Sequence, residues 1–351
     1  MFQAKQIFLL VDSIFVKYLV DMKKIAIFNH KGGVAKTTTT YQLGWQLAKS
    51  GRRVILVDTD SQCNLTLLGM QAEKFEAFYE REDKNNLKDA LSPAFEGKPA
   101  LVQATNCQTF AGNENLFLLP GHLDFSEIEV PLGLSLDISN TFNGARNLPG
   151  AINYLVEQTA EKYQADYVLF DMNPSLSAIN QVVFLSSDFF IIPTSPDIFS
   201  AMAIRSLARM LPQWERWAKQ ARSFFEDSEY PLPLTTPIFL GYTINDFKIT
   251  GKGENRPAGA FEKMMDRVSN NVTELLVPGL EKQGMVLPQE TYTQAHEKYR
   301  LNNQRDTDSY CLSEIDASSE ANTAGQGKSL YDMFSKKILF LTRHESVPSA
   351  V

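Results

Sequence analysis

Short apolar runs alternate with helix-spaced positions along most of this 351-residue chain. Residues 24–28 form the first run, and from Thr37 the positions Tyr41, Leu43, Trp45 and Leu47 follow helical spacing. A second run, 53–57, ends on Asp58, and a third, 165–170, ends on Asp171. Further runs lie at 116–119, 187–193 and 239–245. Apolar runs that end on carboxylates describe buried parallel strands delivering acids to the edge where doubly wound sheets bind ligands. The pattern predicts an α/β fold: a doubly wound, mostly parallel sheet with helices on both faces.

No Pro/Gly/Ser-rich linker divides the chain, so one domain is expected over residues 22–341, with a tail at 342–351. The polar stretches 71–112 and 248–305 are expected insertions. Residues 7–20 are apolar but interrupted by Asp12 and Lys17, too short and too charged for a membrane span. They lack a small-residue cleavage site. Met22 opens the first strand directly, so residues 1–21 read as an added helix or an upstream start.

Acidic residues outnumber basic ones by 41 to 34, a net charge of −7. That excludes a surface that coats polyanions as a whole, and any nucleic-acid binding must come from a local patch. Cys63, Cys107 and Cys311 are scattered, which suggests reduced thiols and a cytosolic setting. The four histidines show no metal-ligand spacing.

The richest chemistry lies between the first strand and the first helix, in Asn29-His30-Lys31-Gly32-Gly33-Val34-Ala35-Lys36-Thr37-Thr38. A glycine loop between a strand and a helix N-terminus turns backbone N–H groups and the helix dipole toward an anion. The ordinary P-loop formula places glycines where this chain has His30 and Ala35, so that formula fails. Lys-Gly-Gly-x-Ala-Lys-Thr-Thr instead resembles the deviant Walker A loop of the ParA/MinD family of ATPases. Asp58-Thr59-Asp60-Ser61-Gln62-Cys63-Asn64 resembles the family's switch I, and Asp171 with residues 172–176 resembles its Walker B strand and switch II. A Gly-Gly turn or an acid at a strand end is commonplace alone. Three such elements in this order are not.

The resemblance spans about Lys23 to Met333, with gaps, and includes a closing segment at 314–316 and 325–330. It implies ATP and Mg²⁺ as ligands. Residues 31–38 (Lys31, Gly32, Gly33, Val34, Ala35, Lys36, Thr37, Thr38) would hold the nucleotide, with Lys36 on the β- and γ-phosphates and Asn245 facing adenine. Thr37, Asp58 and Asp171 would form or support the metal site, and Asp60 would orient the attacking water. Lys31 would reach the partner subunit's nucleotide in an ATP-dependent homodimer. These residue types suit phosphoryl transfer, which is catalysed mainly by positioning and charge neutralisation.

The resemblance further implies a cytoplasmic, nucleoid-associated partition ATPase that binds DNA nonspecifically and is stimulated by a ParB-like or other partner protein. A MinD-like membrane cycle is an alternative, as is recruitment to plasmid copy control or phage defence. The membrane alternative needs an amphipathic C-terminal helix, and residues 331–341 read better as a terminal helix packed on the domain. The candidate DNA face is Arg205, Arg209, Arg216 and Lys219, within about 80° of one another on a helix of ~100° per residue. Pro212 is expected to bend or break that helix, Glu215 is the local offsetting charge, and a plain solvated face fits the same residues.

Overall fold

The computed structural model describes residues 22–70, 72–80, 85–137, 143–247, 259–299, 307–316 and 326–343. The expectations for residues 1–21, for Gly325 and for the tail beyond Arg343 lie outside the described residues. Eight strands form one sheet: β1 (Lys23–Ile27), β2 (Val54–Asp58), β3 (Gln108–Phe110), β4 (Asn113–Leu119), β5 (Tyr167–Asp171), β6 (Phe189–Thr194), β7 (Ile238–Phe247) and β8 (Cys311–Asp316). Their order is β3-β4-β2-β5-β1-β6-β7-β8. Only the edge pair β3–β4 is antiparallel. The predicted doubly wound, mostly parallel sheet is present.

The strands are linked by α1 (Lys36–Lys49), α2 (Asn64–Met70), α3 (Ala72–Tyr79), α4 (Leu87–Phe95), α5 (Glu129–Ser135), α6 (Leu148–Tyr163), α7 (Ala178–Leu185) and α8 (Ile198–Phe225). After β7 come α9 (Gly259–Asn271), a π-turn (Val272–Leu276), α10 (Val277–Glu281) and α11 (Gln289–Lys298), and α12 (Gln326–Leu341) follows β8. Strands β2, β5 and β6 are buried at every residue, as covering on both faces requires. Helix α1 lies close on β2 because Gly44 has no side chain. A Cβ there would sit 2.4 Å from the Leu56 side chain.

Topology places the site. Helix α1 carries the chain from β1 toward β2 on one side, and α7 carries it from β5 past β1 to β6 on the other. The crevice at such a reversal, beyond the carboxyl ends of the strands, is where doubly wound sheets bind ligands. The parallel register sets Asp58 beside Asp171 and Ile27 beside Asp171.

The stretches expected as insertions are structured where described. Residues 72–110 supply α3, α4 and the edge strand β3, and residues 259–298 supply α9 to α11. Helix α12 is packed against the sheet, with Tyr331, Phe334, Ile338 and Leu341 each 3% exposed or less. Lys337 of this helix donates from Nζ to the carbonyls of Cys311 (3.1 Å) and Leu312 (3.0 Å). Among the described residues no helix is long and apolar enough to cross a membrane.

Pro212 does not break the helix that carries it: α8 runs for 28 residues with Pro212 inside it. A proline at that position leaves the carbonyl of Ala208 without its helical donor. That carbonyl faces Gly279 of α10, where a Cβ would lie 2.9 Å from the oxygen and 3.6 Å from the Pro212 ring. Leu211, Pro212 and Trp214 are buried at this turn.

Candidate nucleotide site

The loop after β1 is anchored before it turns. Asn29, fully buried, donates from Nδ2 to the Pro193 carbonyl at the end of β6 (2.8 Å) and accepts the Lys31 N–H on Oδ1 (3.0 Å). Gly33 and Ala35 then take left-handed backbone conformations, with φ of 71° and 63°. At the start of α1, Ala35 offers no side-chain cap and the first turn holds no acidic residue. The orphan N–H groups of that helix end are therefore left for an anion.

Ala35 is the strained member of the loop. A left-handed L-residue costs about 1–2 kcal/mol, and a glycine there would lose about 0.4–1 kcal/mol through the freer unfolded chain. Ala35→Gly should therefore stabilise the protein slightly, raising its melting temperature by about 1–3 °C. Differential scanning calorimetry reads this, and a lowered melting temperature would contradict the strain.

Lys36 is 8% exposed and its Nζ donates to the Lys31 carbonyl (3.1 Å). Burial lowers the pKa of its ammonium, while Asp171 and Asp60 act to raise it. The half-buried imidazole of His30 is likewise pushed toward its neutral form by burial and by Lys36. Thr37 donates from Oγ1 to Asp171 Oδ2 (2.7 Å), and Asp171 Oδ1 is buried with no hydrogen-bond partner among the described residues. Burial pushes the carboxyls of Asp171 and Asp58 upward, with repulsion from Asp58 adding to the rise at Asp171 and repulsion from Asp60 to that at Asp58.

The two acids nonetheless differ. Asp58 Oδ2 accepts from the Thr66 N–H (2.8 Å) and hydroxyl (2.7 Å), and its Oδ1 accepts from the Asp60 N–H (3.2 Å). A hydroxyl and an orphaned carboxylate oxygen, backed by a second buried acid, form the hard oxygen set that suits Mg²⁺. The residues present would fit that ion, with Thr37 and Asp171 as the side chains that would hold it and Asp58 supporting them. Asp60, 8% exposed, accepts the Gln62 N–H on Oδ1 (2.9 Å).

Two further residues sit where sequence alone did not place them. Lys31 is held within its own chain by Asp197, Nζ to Oδ2 2.9 Å, and Asp197 also caps α8 through the Ser200 N–H (2.9 Å). The capping signal Asp-x-x-Ser was visible in the sequence, but not the lysine it would meet. Asn245, fully buried, donates from Nδ2 to the Val34 carbonyl (3.0 Å) and to Thr243 Oγ1 (3.0 Å). It braces the loop from below, and its Oδ1 is the atom left for a donor. Gly32 is exposed, beside Pro174 of switch II, and Thr38 is partly buried in the first turn of α1.

The basic candidates share the exposed face of α8: Arg205, Arg209, Arg216 and Lys219. Lys219 is already engaged, donating to the Gln283 carbonyl (2.9 Å) and lying 3.9 Å from Glu215. Glu215 offsets Lys219 from a buried position. It is fully buried, accepts from the Thr236 hydroxyl (2.7 Å) and pairs with Arg222 (3.4 Å).

Known proteins bear on this geometry. A family model described as an AAA domain matches residues 22–222, more than half of the chain. A ParA family protein of Chlamydia pneumoniae is 29% identical over 189 residues, covering 53% of this chain and 64% of that protein. A ParA family protein of Chlamydia trachomatis is 26% identical over 252 residues, covering 66% and 89%. This chain thus spans less than two thirds of the length of the C. pneumoniae relative. Protein DIP2308 from Corynebacterium diphtheriae shares the fold with a TM-score of 0.65 and 22% identity, covering 92% of this chain and 99% of that one. MinD from Pyrococcus horikoshii OT3, complexed with Mg-ADP, follows at 0.50 and 18%, covering 90% and 96%. With the Lys-Gly-Gly-x-x-Lys-Thr-Thr loop, both switches and the sheet in place, the chain belongs to the ParA/MinD family of ATPases.

Proposed function

We propose that this chain is a ParA-like ATPase that binds ATP with Mg²⁺, closes into a nucleotide-sandwich dimer and binds DNA without sequence preference. On stimulation by a ParB-like or other partner protein it hydrolyses ATP, and the cycle segregates or positions a plasmid, chromosome or other cargo. The observation that carries this reading is the pairing of Thr37 with Asp171 Oδ2 beside the unpartnered Oδ1, next to buried Lys36. The uncapped start of α1 offers N–H groups to phosphate oxygens, and Lys36 neutralises their charge. Mg²⁺, when bound, supplies further neutralisation of the phosphates. Asp60 orients the attacking water.

Asp60→Ala tests the hydrolytic part. It should bind ATP within about twofold of wild type and hydrolyse it at least about 100-fold more slowly, the scale of a lost proton-handling group. Calorimetry and phosphate release read the two quantities. A variant that fails to bind ATP would make Asp60 structural.

Exposed apolar residues support dimerisation on the phosphate side: Leu176 of switch II is 43% exposed, and Phe199 and Met202 at the start of α8 are 67% and 57%. Pro174 and Asp197 bring both segments to the loop, against Gly32 and Lys31. For DNA, Arg205, Arg209 and Arg216 remain when Lys219 is set aside. Changing all three to Ala should flatten the slope of log affinity against log salt by up to about 2.7, roughly 0.9 per lost phosphate contact. Lys219→Ala should change it less. Filter binding across a salt series checks this, and an unchanged slope in the triple variant would move the DNA surface elsewhere.

A further inference from the structure

Switch II, residues 172–176, is gathered by one buried amide. Asn180, in the first turn of α7, donates from Nδ2 to the Asn173 carbonyl (2.8 Å), to Asn173 Oδ1 (2.8 Å) and to the Ser175 carbonyl (2.7 Å). Ser175 hydrogen-bonds the same Asn173 oxygen, and Ser177 caps the helix through the Asn180 N–H (3.2 Å). The shape of the loop therefore depends on where the first turn of α7 sits.

That turn is gripped from a different element. Glu129, the first residue of α5, accepts the Ala178 N–H on Oε1 (2.5 Å) and the Ile179 N–H on Oε2 (3.2 Å). A carboxylate there satisfies two orphan donors and meets the positive end of the helix dipole. Helix α5 is itself fixed to the domain. Gly133 lies close to Ala178, where a Cβ would be 3.8 Å from the alanine Cβ, and the Leu136 carbonyl after α5 accepts from Trp217 Nε1 of α8 (3.1 Å). The loop's other end is Asp171, and its Pro174 rests against Gly32.

We propose that Glu129 is a positioning residue for ATP hydrolysis, setting switch II through α7 and Asn180 without touching the nucleotide. This rests on the ATPase reading above. Lys36, Thr37 and the α1 N-terminus stay in place when Glu129 is lost, so nucleotide affinity should hold while turnover falls.

The test pairs Glu129→Ala with Glu129→Gln, which keeps one acceptor oxygen. In nucleotide-free protein, hydrogen exchange of amides 173–180 should quicken about tenfold in Glu129→Ala, a shift of ~1.4 kcal/mol. In Glu129→Gln it should quicken less than threefold, with β2 unchanged in both. The alanine variant should lose about tenfold in kcat with ATP affinity within twofold, and glutamine should restore most of it. Unaltered exchange at 173–180, or equal acceleration across the sheet with no rescue by glutamine, would overturn the proposal. If wild type hydrolyses no ATP, the ATPase reading fails, and local exchange still decides whether Glu129 sets switch II.

Discussion

Lys36→Ala is expected to abolish measurable nucleotide binding while leaving the fold intact. Lys36 is buried at the base of the loop, with its ammonium among Asp171 and Asp60. The other lysine of the loop, Lys31, is turned away onto Asp197 at 2.9 Å. Without Lys36, phosphates would approach buried carboxylates with no side-chain cation of their own chain to offset them. Hydrogen bonds to charged groups contribute about 1.5–3 kcal/mol each, so the affinity should fall by at least about 100-fold. The Asn29 and Asn245 bonds that hold the loop do not involve the Lys36 side chain, so its backbone should persist. Isothermal titration calorimetry measures this, and equal affinity in variant and wild type would remove the P-loop assignment.

Lys31→Ala should leave ATP binding by the monomer within about threefold of wild type yet weaken ATP-driven dimerisation at least about tenfold. The Lys31–Asp197 pair is partly exposed, at 20% and 37% of the two side chains. Such a pair contributes only about 0–1 kcal/mol, so the lysine is easily released to another anion. Two bound nucleotides facing each other concentrate negative charge at an interface, and a cation from each subunit answers it. Hydrolysis should fall together with dimerisation. Light scattering with ATP reads the association, and a variant that dimerises like wild type would end the cross-subunit role.

The buried strands and the phosphate loop were legible in the sequence because both are local patterns. Continuous apolar runs mark β1, β2, β5 and β6, and each leads into a loop with recognisable chemistry. What escaped notice depends on contacts between distant residues. Strand β3 has the partly exposed pattern of an edge strand and lay hidden in a polar stretch. Pro212 leaves its helix unbroken, and Gly279, distant in sequence, packs against the same turn. Asp197 meets Lys31, Val34 rests on Asn245, and Glu129 reaches α7 only after the sheet has brought these segments together. The burial of Glu215 was not legible because its half-buried partner Thr236 is brought to it from beyond the helix by the fold.

ATP with Mg²⁺ should close two copies of this chain on each other. Sedimentation velocity of the hydrolysis-arrested Asp60→Ala variant reads this closure with Mg²⁺-ATP, with Mg²⁺-ADP and without nucleotide. A dimer is expected with Mg²⁺-ATP and monomers in the other two conditions. The same sedimentation coefficient in all three would rule out nucleotide-driven dimerisation.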